Sequence, residues 1–158
     1  MKLLLELQDL CIERGISIST AESCTSGLIA SNITTISGSS LYFKGGIVAY
    51  QNSIKIDLLG ISENLINNMG EVSPEVVEKM AANSLLKFQS DFSVATSGYT
   101  GPNGGTKINP VGTVFISIAA KKKISSRKFF FSGERQYIAS QATSKAIELL
   151  VDEIKNQK

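Results

Sequence analysis

The chain contains no histidine. That absence removes Ser-His-Asp triads, Cys-His pairs and imidazole metal ligands together, so acid–base chemistry falls to Lys, Tyr, Asp, Glu or Cys. Cysteine is scarce as well. Cys11 and Cys24 make no CxxC pair, cannot build a zinc site alone, and read as free thiols in a reducing compartment. Charge of one sign is also missing: 16 Lys+Arg against 14 Asp+Glu leave a net charge of +2, which supplies no basic field for nucleic acid. There is no long apolar run. The stretch from Val111 to Ala120 carries Gly112, Thr113 and Ser117 and is about half of the ~20 residues a membrane helix needs. The opening MKLLLELQDL is broken by Glu6 and Asp9, which fits an amphipathic helix and not a signal-peptide core. A soluble, cytoplasmic protein with neither nucleic-acid nor membrane partners is therefore expected.

What is present is ordinary globular material. With 158 residues, 42% hydrophobic and 19% charged, the chain can bury its own core, and no repeat, low-complexity tract or linker divides it. One domain over residues 1–158 is expected, with a homodimer as the assembly for a domain this small. Leu3, Leu7, Leu10 and Cys11 recur at helical spacing up to Gly15. Ile16 and Ile18 alternate with serines as a strand that runs into TAESCTSG, and Leu28, Ile29 and Ile33 mark a second helix ended by SGSS. Gly46 to Tyr50 reads as a buried strand and Asn52 to Leu59 as a short helix. Ser73-Pro74-Glu75 is a strong helix start, with a capping hydroxyl, a first-turn proline and an acidic side chain at the positive dipole end. Phe92, Val94 and Thr96 open another strand, Val114 to Ala119 and Lys128 to Phe131 pair as a hairpin, and a last helix follows Arg135. Strands alternating with helices predict a three-layer α/β/α sandwich around a mixed, mostly parallel sheet. Ligands of such folds bind at the carboxyl ends of strands, which here carry Thr20 to Ser26, Tyr50 to Asn52 and Ser97 to Gly105.

Each of these loops has two readings. TAESCTSG suits a phosphate or carboxylate at a helix start, or merely N-capping by Ser23 or Thr25. Cys24 is either a thiol activated at a helix start or a small buried residue. SGYTGPNGG, with Gly101 and Gly104, is either an oxyanion cradle or a set of turns; it lacks both P-loop and dinucleotide spacing. Lys107 beside it reads as a solvated lysine. In GSSLYFKGGIVAYQNSIKIDLLG, the exclusion of histidine leaves Ser plus Lys as the nucleophilic pair, with Tyr as an accessory proton carrier. Lys55 is flanked by Ile54, Ile56, Leu58 and Leu59, a composition able to depress its pKa, and it follows Asn52 by three, which sets both on one helix face. The competing reading makes Ser40 a helix end, Tyr50 a strand end and Lys55 a surface residue. Arg135 is a surface arginine or an anion contact. Glu22, Glu71, Glu75 and Glu134 show no spacing that pairs two carboxylates.

TAESCTSG, GSSLYFKGGIVAYQNSIKIDLLG, GEVSPEVVEKMA, TSGYTGPNGG, NPVGTVFISIA and FSGER, in this order from about Leu3 to Leu150, resemble the CinA C-terminal (PncC-like) nicotinamide-nucleotide amidohydrolases. The resemblance implies the same three-layer fold and hydrolysis of the carboxamide of nicotinamide mononucleotide to nicotinate mononucleotide and ammonia. It implies a small-molecule pyridine nucleotide as partner, no cofactor and no metal. It assigns the nucleophile to Ser40, the base to Lys55 and an accessory role to Tyr50. Ser23, Thr25, Asn52, Ser97, Gly101, Gly104 and Arg135 fall on substrate-binding positions. On that scheme Ser40→Ala and Lys55→Ala each abolish turnover. One position departs: the family usually reads TAESCTGG, and Ser26 stands at the middle glycine. This keeps open another pyridine nucleotide or small amide as substrate. A non-catalytic competence or DNA-damage module, the other reading of the family name, predicts a degenerate nucleophile or lysine. Many relatives carry a further domain resembling molybdopterin-binding proteins, whose activity is not transferred.

Overall fold

Five strands and six helices make up a computed structural model that describes residues 1–157. In order they are α1 (Lys2–Arg14), β1 (Ile18–Glu22), α2 (Leu28–Thr34), β2 (Phe43–Val48), α3 (Asn52–Asp57), α4 (Glu63–Met69), α5 (Pro74–Phe88), β3 (Phe92–Gly98), β4 (Thr113–Ala120), β5 (Lys123–Phe130) and α6 (Arg135–Asn156). The sheet order is β2-β1-β3-β4-β5. β1 pairs parallel with both β2 and β3, β4 is antiparallel to β3, and β5 is antiparallel to β4. Only β4 therefore runs against the common direction, which makes the sheet mixed and mostly parallel, as expected.

Period-two alternation divides the core into two. On one face Ile18, Val94, Val114, Ile116 and Ile118 pack with Leu7 and Cys11 of α1, Ile29 and Ile33 of α2, and Ile138, Leu150 and Ile154 of α6. On the other, Ala21, Ala95 and Ala119 present small side chains to Val76, Val77, Met80 and Ala81 of α5. That is the three-layer sandwich. Among the described residues no helix is long and apolar enough to cross a membrane.

Several elements differ from the sequence expectation, each for a physical reason. All five residues of β1 are buried, so Ser19 does not mark a solvent face; its hydroxyl meets Ser90 Oγ at 2.7 Å and Ser84 Oγ at 3.3 Å. β2 begins at Phe43, ends before Tyr50, and alternates between half-buried and exposed because it is a sheet edge, not the buried strand its apolar run implied. β5 begins at Lys123, where an exposed edge gave no hydrophobic signal, and α4 was not anticipated. The start of α5 matches: Ser73 Oγ accepts from Val76 N at 3.3 Å, with Pro74 in the first turn.

The β1–β2 pairing that positions the site requires one glycine. A Cβ on Gly46 would lie 2.0 Å from Thr20 Oγ1, inside contact distance. Gly46→Ala is expected to destabilise the fold by about 1–3 kcal/mol. Adding Thr20→Ala should recover part of that loss, since the two sites are coupled. Urea denaturation of the single and double variants measures both; a strictly additive double variant would disprove the contact.

Candidate active site

The three loops at the carboxyl ends of β1, β2 and β3 meet at one edge of the sheet. The ladders extend just past the strands: Ser23 N donates to Thr96 O at 3.1 Å and Ala49 N to Glu22 O at 2.8 Å. Strand alternation then sends Glu22 and Ser23 to opposite faces. Glu22, 1% exposed, turns towards α2, where its carboxylate accepts from Thr25 Oγ1 at 2.7 Å, Ile29 N at 2.9 Å and Ala30 N at 3.0 Å. The start of α2 is thus capped by Glu22 and by neither Ser23 nor Thr25, and the amides an anion would need are taken. Thr25 is fully buried, its hydroxyl shared between Glu22 and Thr96 Oγ1 at 2.8 Å.

Ser23 turns the other way, into a cavity of about 380 Å³, within the range of small-molecule sites. Tyr50, Asn52, Lys55, Glu71, Ser97, Tyr99, Gly101 and Arg135 line it with Ser23. Lys55 reaches it from α3, whose flanking Ile54 and Ile56 pack against the α5-side core. The lysine is 1% exposed; its Nζ lies 3.3 Å from Ser23 Oγ and 3.4 Å from the Tyr50 carbonyl. Burial pulls its pKa below the ordinary lysine range, an effect partly offset by the negative field of Glu71. No carboxylate pairs with it: the ion pairs among the described residues are Lys123–Glu153, Lys145–Glu148 and Lys155–Glu6. Cys24, next to Ser23, is held as a thiol, because burial pushes its pKa up to about 12.

Other predicted residues fall around this pair. Arg135 Nη1 donates to Gly101 O at 2.7 Å and its Nη2 to the Tyr50 hydroxyl, so one guanidinium joins the β2 and β3 loops to the start of α6. Ser97 Oγ donates to Glu71 O at 2.6 Å, which fixes the segment before α5 against β3. Asn52 is the first residue of α3. Gly101 has φ +79°, and a Cβ there would meet Val111 Cγ1 at 2.6 Å. Gly104 is exposed and does not line the cavity.

Ser40 is not brought to Lys55. It is exposed, in the short helical turn Ser39–Leu41 that precedes β2, at the amino end of the sheet. The six residues of β2 separate it from the site by roughly 20 Å of extended chain. Sequence reasoning also passed over Glu71 and Tyr99. GEVSPEV was read for its helix start, and nothing in its spacing shows that Glu71 faces a lysine. Ser26 adopts φ +52°, the left-handed region that a glycine occupies freely, and lies in an adjoining groove of about 470 Å³ between α2 and α6, outside the cavity of Lys55. Among the described residues no group of three His, Cys, Asp or Glu is placed to hold a metal ion.

Comparison with known proteins agrees with the fold. The profile of the CinA C-terminal domain matches residues 1–154. A CinA-like protein of Flavobacterium psychrophilum is 47% identical over 148 residues, which is 94% of this chain and 35% of that protein. A putative competence-damage inducible protein of Halothermothrix orenii is 44% identical over 82% of this chain and 32% of its own length. The chain thus spans about a third of the length of these curated relatives. The crystal structure of the competence damage-inducible protein A from Klebsiella pneumoniae superposes with a TM-score of 0.96 at 25% identity, covering 99% of this chain and 98% of that one. The competence/damage inducible protein of Agrobacterium tumefaciens gives 0.93 at 33% identity, covering 96% and 93%.

A lysine buried without a counter-charge lowers stability when protonated. Its folded-state pKa lies below its unfolded one, so the penalty is complete below the folded value and fades as pH rises into the ordinary lysine range. Lys55→Met is therefore expected to raise stability at neutral pH by on the order of 1 kcal/mol, with the gain shrinking as pH approaches the unfolded lysine value. Chemical denaturation of both proteins across alkaline pH checks this; a pH-independent difference would refute it.

Proposed function

The chain belongs to the CinA C-terminal domain family, and from that premise we propose that it hydrolyses the carboxamide of nicotinamide mononucleotide, with Ser23 as nucleophile and Lys55 as general base. The observation that carries this reading is the 3.3 Å approach of Lys55 Nζ to Ser23 Oγ, with the lysine buried and in no ion pair. In a chain without histidine, a lysine kept partly neutral by burial is the available base. The nucleophile moves from Ser40 to Ser23 because only Ser23 lies within proton-transfer distance of Lys55.

The steps follow from that pair. Neutral Lys55 takes the Ser23 hydroxyl proton as Oγ forms a bond to the amide carbon. The resulting Lys55 ammonium returns the proton to the amide nitrogen, the C–N bond breaks, and ammonia leaves an acyl-serine. Water, deprotonated by the same lysine, adds to the acyl carbon, the bond from that carbon to Ser23 Oγ breaks, the lysine returns the proton to Ser23, and the ring carboxylic acid leaves and ionises. Water is the only co-reactant. The Cys24 amide, next to the nucleophile, donates to no backbone carbonyl among the described residues and is the nearest candidate donor for the oxyanion. Tyr50 serves through its carbonyl, which holds Lys55, while its hydroxyl is engaged by Arg135. Arg135 supplies the positive charge at the cavity rim for the substrate phosphate.

Ammonia release from nicotinamide mononucleotide tests the proposal. Ser23→Ala and Lys55→Ala are each expected to lower kcat by about a thousandfold or more, while Ser40→Ala stays within about twofold of the parent. The rate should rise with pH through a limb lying below the ordinary lysine range, because the base acts only when neutral. Retained turnover in Ser23→Ala, or its loss in Ser40→Ala, would return the assignment to the other serine.

A further inference from the structure

Three charged side chains line the cavity: Lys55, Glu71 and Arg135. The first is the proposed base and the third is bonded to Gly101 O and Tyr50. Glu71 has no such explanation. It is half-buried and it lines the cavity, yet among the described residues its carboxylate accepts no hydrogen bond and enters no ion pair; only its backbone carbonyl is used, by Ser97. Its charge nevertheless reaches both Lys55 and Tyr99, since it raises the pKa of each. For a base that must shed its proton, a carboxylate at this place is a handicap. A half-buried, unpartnered carboxylate beside a tyrosine ring is what a flat cation requires, because ring face and carboxylate both attract positive charge.

The fold separates this charge from the positive one. Glu71 enters on the segment between α4 and α5, in the layer on one side of the sheet, whereas Arg135 heads α6 in the opposite layer. A ligand lying across the sheet edge meets a carboxylate from one layer and a guanidinium from the other.

We propose that Glu71, with Tyr99, is a specificity determinant that selects carboxamides whose ring carries a fixed positive charge, so that the cavity recognises a zwitterion with its cationic ring at Glu71 and its anionic group at Arg135. This rests on the amidohydrolase reading for the identity of the reacting group, though not for the charge preference. A bound cationic ring also cancels the field of Glu71 at Lys55, so the base loses its proton more readily in the complex than in the free protein. Substrates with a neutral ring forgo that assistance.

The test uses two small probes that share the carboxamide ring and differ in its charge, 1-methylnicotinamide (cationic) and nicotinamide (neutral). Ligand-observed NMR titration of the whole chain at neutral pH and low salt is expected to show the cation bound about tenfold tighter. Glu71→Gln, which keeps the shape and the backbone carbonyl, should bring the two probes within about twofold of each other by weakening the cation alone. Absence of a preference in the parent, or its survival in Glu71→Gln with an unchanged melting curve, overturns the proposal. Binding is read without turnover. A protein that prefers the cation through Glu71 but releases no ammonia from nicotinamide mononucleotide would uphold this inference and sink the amidohydrolase reading instead.

Discussion

The site depends on one buried lysine. Lys55 is 1% exposed, has no counter-ion, and is held only by the Ser23 hydroxyl and the Tyr50 carbonyl. Such a group lowers stability unless it gives up its proton, and in giving up the proton it becomes a base. Everything around it serves to keep it there. Ile54 and Ile56 pack α3 against the α5-side core, and Ala49 N anchors the end of β2 on Glu22 O, which sets the Tyr50 carbonyl above the lysine. The same burial that would be an error in an ordinary core lowers the lysine's pKa, which is what the proposed role as base requires.

Glu22 performs a second service that makes Ser23 available. By capping α2 with two backbone bonds and binding Thr25, it relieves the neighbouring hydroxyls of the capping role that serine and threonine usually take at this position. Strand alternation does the rest, because consecutive residues at the end of β1 point to opposite layers. One faces the helix that needs a cap and the next faces the lysine. The parallel pairing of β1 with β2 and β3 then delivers three loops to the same edge, so residues far apart in sequence converge without any long excursion of the chain.

These features explain what could be read from the sequence and what could not. The periodic helices, the Ser73-Pro74 helix start and the alternating α/β order are local signals, and they led to the three-layer fold. The loops at the strand ends were legible for the same topological reason. The edge strands were legible in their hydrophobic parts but not in their bounds, because β5 is mostly exposed and the polar residues of its first half carry no apolar period. Ser23 was legible as a possible cap and, by resemblance, as a substrate-binding position, but not as the partner of Lys55. The separation of Ser40 from Lys55 by a full strand, and the approach of Ser23 to it from a neighbouring strand, are facts of sheet order that spacing along one segment does not contain. Glu71 was hidden in the same way, lying in a helix-start motif whose local meaning was already satisfied.

Three residues that break local rules lie at this edge of the molecule. Lys55 is buried without a partner, Glu71 is a carboxylate without a donor, and Ser26 holds a left-handed backbone that a glycine would adopt with less strain. In the middle of the core Ser19 is paired with Ser84 and Ser90, whereas the hydroxyls of Thr20, Ser93 and Thr113 are buried without a partner. Disagreements that line one cavity, as those of Lys55 and Glu71 do, are most economically explained by a bound partner that is not part of the chain. Lys55 and Glu71 together narrow that partner. The lysine asks for something that donates a proton through Ser23, and the carboxylate asks for positive charge close to the reacting group. A carboxamide on a cationic ring answers both demands with one molecule, and it does so by the charge distribution of the cavity, not by the shape of any single pocket wall.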